Sequence, residues 1–102
     1  MTIVEFGAYA EARWVQVSGH AGYAEIGKDI VCAGVSITAQ ALAATLSQTE
    51  GVMVDVKTED GRMFIVCKCA QQMKRYVDAL FDMARMAFEL LAEEYPKHVK
   101  VK

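Results

Sequence analysis

The run IVCAGVSITAQALAATLSQ, positions 30 to 48, reads as a helix that is apolar on nearly every side, and a chain of 102 residues has little else with which to cover it. Val31, Val35, Thr38, Leu42 and Leu46 recur along one stripe, while Ile30, Ala33, Ile37, Ala41 and Ala44 make the opposite side apolar as well. A helix of this kind needs two partners. A domain this small buries only a modest fraction of its surface by itself. The pattern therefore assigns a sheet to one side and another subunit to the other, with Gly34, Ala39 and Ala43 allowing close backbone approach. A homodimer is expected on these grounds.

Residues 2 to 8, TIVEFGA, alternate Ile3 and Glu5 with Val4 and Phe6, and residues 12 to 18 alternate Trp14 and Gln16 with Arg13, Val15 and Val17. Both segments have the period of a strand, and they form a hairpin across Tyr9 to Glu11. After the helix, Val52, Val54 and Val56 alternate with Met53, Asp55 and Lys57 in a third strand. Asp60 and Gly61 tolerate the positive backbone dihedrals of a tight turn, so a fourth strand returns from Arg62 to Cys69. A second helix spans Gln71 to Glu94, with Met73, Val77, Leu80, Phe81, Ala84, Phe88 and Leu91 at helical spacing and Pro96 as its stop. The expected fold is α+β: two layers, a four-stranded antiparallel sheet packed with two helices in the order ββαββα, in one domain over residues 1 to 102.

Eleven basic and thirteen acidic residues leave a formal net charge of -2, which gives no general attraction to nucleic acid or anionic lipid. Direct nucleic-acid binding is not expected. The basic run PKHVKVK, positions 96 to 102, reads as a solvated chain end rather than a nucleic-acid anchor. Lys28 and Asp29 precede the most apolar run and polar residues interrupt it after position 35, so no membrane-crossing segment is expected. Three cysteines, an odd number, cannot all pair, and no basic-then-apolar leader precedes them. That combination points to a soluble protein in a reducing compartment, the cytoplasm.

The chemistry concentrates in GHAGYAEIGKDIVCAGVS, positions 19 to 36, where a strand ends in His20 and a helix begins just before Cys32. An imidazole and a thiol at the ends of different elements can converge as base and nucleophile. With Asp29 as N-cap, Cys32 is the third helical residue, where unpaired backbone N–H groups and the helix dipole favour negative charge on sulfur. Those N–H groups, that of Cys32 included, are placed to hold an oxyanion. The competing readings are a buried structural thiol at Cys32 and a hydrogen-bonded surface imidazole at His20. Asp29 is a cap first and an orienter of His20 second, because one carboxylate serves both only with a compromise in geometry. Ser36, one turn after Cys32, shares its face and bonds either within the site or to the preceding helical carbonyl. The loop bearing Gly19, Gly22 and Gly27 admits a substrate or merely connects, since no phosphate-binding fingerprint is present. Cys67 and Cys69 face the same side of a strand and, with distant His98, make no zinc pattern. No metal or organic cofactor is expected.

Gly19-His20-Ala21, followed after a short glycine-bearing loop by Gly27-Lys28-Asp29-Ile30-Val31-Cys32-Ala33-Gly34-Val35-Ser36, resembles the bacterial ribosomal-processing cysteine protease family, whose members carry GHA and then GxDIVCAxVS. Gly34 stands where that family often has alanine, a departure worth up to about 1 kcal/mol of helix propensity. The resemblance implies His20 as catalytic base and Cys32 as nucleophile. It also implies an endopeptidase that removes the N-terminal extension of a large-subunit ribosomal protein by cutting after an aromatic residue. Homodimers formed through helices, and a loop from 21 to 28 that rearranges around the peptide, are implied too. The third catalytic group stays open between Asp29 and Ser36. Two other functions suit the same residues: a non-catalytic ribosome-associated protein-interaction module, and a thiol redox protein pairing Cys32 with Cys67 or Cys69. The absence of a CxxC motif weakens the second.

Overall fold

A computed structural model describes residues 1–102 as β1 (Thr2–Tyr9), β2 (Ala12–Ser18), α1 (Ile30–Ser47), β3 (Val52–Glu59), β4 (Arg62–Cys69), α2 (Lys74–Glu94) and β5 (Val99–Val101). A single 3-10 turn at Gln71–Met73 leads into α2. The strands form one sheet in the order β3-β4-β2-β1-β5. The pairings β1 with β2, β2 with β4 and β3 with β4 are antiparallel. Strand alternation sends Val4, Val15, Val17, Ile65 and Cys67 to one face, where all five are buried. Val31, Val35, Leu42 and Leu46 of α1 and Val77, Phe81, Ala84 and Phe88 of α2 close over that face in one apolar cluster. Phe6 of β1 meets Phe81 and Phe88 edge to face, with ring centroids 6.4 and 6.1 Å apart. At Gly7 an added Cβ would collide with the Trp14 indole, so any larger residue opposite that ring would force it to move.

The expected four-stranded antiparallel sheet is corrected to five strands. β5 joins β1 in parallel, pairing Thr2 with Val99 and Val4 with Val101. The tail expected to be solvated is thus the edge of the sheet, and Val99 within it is 1% exposed. Its alternation of Val with Lys is strand periodicity as well as basic composition. The valines enter the molecule and Lys100 stays in solvent, which also discourages further strand pairing at the edge.

Two expectations about α1 need revision. Ala39 and Ala43 lie inside the chain's own core, and a Cβ on Gly34 would stand 3.2 Å from Leu91 of α2. These small residues therefore bring α1 onto its own domain rather than onto another subunit. The 18 residues of α1 have a mean hydropathy of 1.6, so by length and composition the helix could cross a membrane, contrary to the sequence reading. Its apolarity has another use here, since six of its residues pack into the core. The side bearing Ile30 and Ile37, 58% and 64% exposed, has no cover within the chain.

If β5 is structural, Val99→Ala lowers the unfolding free energy by about 2 kcal/mol, from lost transfer energy and an incompletely filled space. Lys100→Ala leaves it within about 0.5 kcal/mol, as for other surface changes. Urea denaturation of both variants checks the contrast.

Candidate active site

β2 ends at Ser18, and Gly19 turns the chain with φ +83, a left-handed conformation that favours glycine. A Cβ there would also strike the Met1 carbonyl. The Gly19 N–H donates to the Gly61 carbonyl at 2.7 Å, which ties the strand end to the β3–β4 turn. His20 follows, exposed, with its imidazole against that turn. A Cβ on Gly61 would come within 3.3 Å of His20 Nε2, so glycine there leaves the ring its place.

Asp29 caps α1 as expected, and it does more. One carboxylate oxygen accepts from the N–H groups of Val31 and Cys32, both at 3.0 Å. The other accepts from those of Tyr23 and Ala24, at 2.9 and 3.2 Å. A single side chain thereby joins the first turn of α1 to the loop after His20. These bonds, that from Cys32 foremost, hold its carboxyl at about 2, below the ordinary 3.8. Both oxygens are committed to backbone, so Asp29 is a cap and loop tether, not a partner of the imidazole. The same bonds correct the expected oxyanion site, because the Cys32 N–H already belongs to Asp29.

Cys32 is half-buried in the first turn of α1, and its Sγ accepts from the Ala21 N–H at 3.4 Å. Ser36, exposed one turn on, accepts a 2.6 Å hydrogen bond from the Gln40 side-chain amide. His20, Cys32 and Ser36 open on one cleft of about 350 Å³. Val35, Ala39 and Met63 contribute apolar surface to this cleft, and Thr58, Glu59 and Arg62 approach from the β3–β4 hairpin. The sequence reading missed the hairpin's share. The signal is the pairing of Ser18 with Arg62, which sets the β3–β4 turn beside the end of β2, yet strand order is not written in strand periodicity.

A larger cleft of about 780 Å³ lies toward the opposite end of β2 and takes in Cys67, Cys69 and Arg13. It does not include Cys32. Cys67 is buried, and burial, chiefly, pushes its thiol up from the usual value of 9.0. A redox pairing of Cys32 with either thiol is therefore poorly served. Arg13 in the same cleft donates to Asp78 at 2.8 Å and holds that carboxyl below its ordinary value.

A thiol at a helix start and an imidazole beyond a strand end, opening on one cleft, are the working parts of a cysteine peptidase. The family model for cysteine protease Prp matches residues 1–100, and the chain belongs to that family. No match is found among curated protein sequences. Among solved structures, the essential ribosomal processing protease Prp from S. aureus, in complex with a covalently linked product peptide, is similar at 22% identity and TM-score 0.84, covering 100% of this chain and 98% of that one. The same S. aureus protease with a substrate peptide gives 21% identity and TM-score 0.78, with coverage of 100% and 98%. SMU.848 from Streptococcus mutans is 28% identical with TM-score 0.77, covering 100% of this chain and 92% of that one.

Because the Asp29 carboxyl is depressed, its stabilising contribution is fully present above pH 3.8 and is lost as the pH falls through about 2. Limited proteolysis with an acid-active protease is expected to open the loop from 21 to 28 across that window in the wild type. Asp29→Ala exposes the loop already at neutral pH and shows no such acid step. An acid step of equal size in the variant contradicts the tether.

Proposed function

We propose that this chain is a cysteine endopeptidase that removes the N-terminal extension of a large-subunit ribosomal protein in the bacterial cytoplasm, with residues 1–102 acting as one peptidase domain. The observation that carries the reading is the meeting of His20 and Cys32 on one cleft, in a chain that the Prp family model covers almost from end to end. The similarity to the ribosomal processing protease Prp from S. aureus also supports it.

In this reading His20 takes the proton of Cys32 Sγ, and the thiolate attacks the scissile carbonyl carbon. As the tetrahedral intermediate collapses, the C–N bond breaks and the leaving amine takes the proton from His20. The N-terminal fragment is then a thioester on Cys32. His20 next deprotonates a water, which attacks the thioester, and the thiol leaves with the proton returned. The Ala21 N–H, 3.4 Å from the sulfur, supports its negative charge before attack. Met63 chiefly, with little from the nearly buried Val35 and Ala39, offers apolar surface in the cleft for an aromatic side chain. Ser36, whose oxygen accepts from Gln40, keeps its hydroxyl proton for substrate, whereas Asp29 acts through the loop.

The uncovered sides of α1 and α2 suit a second copy of the chain. Ile37 is 64% exposed beside a shallow depression that also involves Met83, itself 72% exposed. Charged residues are absent from the lining of that depression. Ile37→Lys is expected to shift the protein from dimer to monomer in sedimentation equilibrium, with far-UV circular dichroism unchanged. A wild type that sediments as a monomer contradicts the homodimer.

A peptide spanning the extension junction of the same organism's ribosomal protein, incubated under reducing conditions and followed by mass spectrometry, tests the activity. One cut is expected with wild type, none with Cys32→Ala, and a rate about 10² to 10⁴ lower with His20→Ala. Equal cutting by wild type and Cys32→Ala removes Cys32 from the mechanism. No cutting by folded wild type moves the function to a protein-interaction module.

A further inference from the structure

The catalytic steps use nothing from the C-terminal end of the chain, yet that end touches the site. His98 lies half-buried in the turn between α2 and β5, and its Nδ1 stands 2.9 Å from the Ala21 carbonyl oxygen. A carbonyl only accepts, so Nδ1 carries the proton and the imidazole donates. The backbone of His98 is itself fixed. Its N–H donates to the Tyr95 carbonyl and its carbonyl accepts from the Thr2 N–H, both at 2.9 Å. The imidazole therefore hangs from the junction of α2, β5 and β1.

Ala21 directly follows His20, is 2% exposed, and donates its N–H to Cys32 Sγ at 3.4 Å. One residue is thus held by its carbonyl to the C-terminal turn and by its N–H to the sulfur. The ring of Tyr23 adds a second hold, meeting Tyr95 and His98 edge to face with centroids 5.3 and 5.4 Å away. Without these contacts the loop would still be tied by Asp29 at Tyr23 and Ala24, but Ala21 would lose the bond that fixes its second peptide plane.

We infer that His98, with Tyr23 and Tyr95 packed about it, is a positioning residue: by holding Ala21 it sets where the His20 imidazole and the Cys32 sulfur stand relative to each other. The inference rests on His20 and Cys32 being the catalytic pair. Its force is geometric, since a displacement of about 1 Å between reacting groups is enough to cost on the order of 10²-fold in rate. The sequence hides this residue because its partner is a backbone carbonyl 77 positions away.

His98→Leu and His98→Asn separate positioning from bulk stability. The side-chain amide of asparagine can donate from nearly the place of Nδ1, whereas leucine fills space and donates nothing. In cleavage of the junction peptide, His98→Leu is expected to lower kcat about 10- to 100-fold with KM changed by less than about threefold, and His98→Asn to recover most of kcat. Alkylation of Cys32 by iodoacetamide, located by peptide mapping, should change several-fold in the leucine variant and return toward wild type in the asparagine variant. Tyr23→Ala, on an exposed loop, supplies an intermediate loss of kcat if His98→Leu does not fold. Wild-type kcat in His98→Leu, or equal losses in the leucine and asparagine variants, would overturn the inference. If wild type itself fails to cut the peptide, the protease reading falls on its own. The alkylation rates then decide, and no difference between His98→Leu and wild type rejects the positioning role.

Discussion

The grip of one carboxylate on four backbone N–H groups holds this site together. Asp29 spends one oxygen on the first turn of α1 and the other on the loop that follows His20. A helix start and a strand end, separated by an irregular segment, would otherwise drift independently. Each charged hydrogen bond is stronger than its neutral counterpart, and here all four come from backbone that has no other partner in regular structure. The thiol stands where it does because the helix that carries it is fixed at this end, and the loop beside it is fixed by the same atoms. His98 braces that loop from the other side, through Ala21, using the C-terminal strand as its support.

A second constraint is the shortage of covering surface. A two-layer domain of this size buries one face of α1, and the other face keeps large apolar side chains in solvent. The helix that presents the thiol is thus also the one with an uncovered apolar face. Gly34 shows how closely the first face is used, since an alanine methyl there would stand 3.2 Å from the Leu91 side chain, which would have to give by a few tenths of an ångström. Glycine at this position thus bears on the contact between α1 and α2 as well as on helix propensity.

Much of this was legible in the sequence, for definite reasons. Val52, Val54 and Val56 alternate cleanly, Asp60-Gly61 carries the turn chemistry of a hairpin, and Asp29 precedes an unbroken apolar run, so the local elements announce themselves. His20 and Cys32 fall at element ends that the structure brings to one cleft. What stayed hidden depends on contacts distant in sequence. The sheet order that sets Gly61 beside His20 comes from β2 pairing with β4 across more than forty residues, and no periodicity encodes it. β5 was hidden by composition, because a three-residue strand with a lysine at its one exposed position, set among other basic residues, looks like a basic tail. The two bonding fronts of Asp29 were missed for a related reason. A cap is a local motif, while its hold on the Tyr23 and Ala24 N–H groups depends on how the loop folds back.

If peptide hydrolysis passes through a covalent bond to Cys32, the thioester itself can be trapped. The protein, mixed with the junction peptide and quenched in acid within the first turnover, would be digested and analysed by mass spectrometry. The expected result is an adduct with the mass of the N-terminal fragment on the peptide containing Cys32, absent when Cys32 is alanine. Cleavage that proceeds with no such adduct in wild type and survives Cys32→Ala, or an adduct on Cys67 or Cys69 instead, would contradict it.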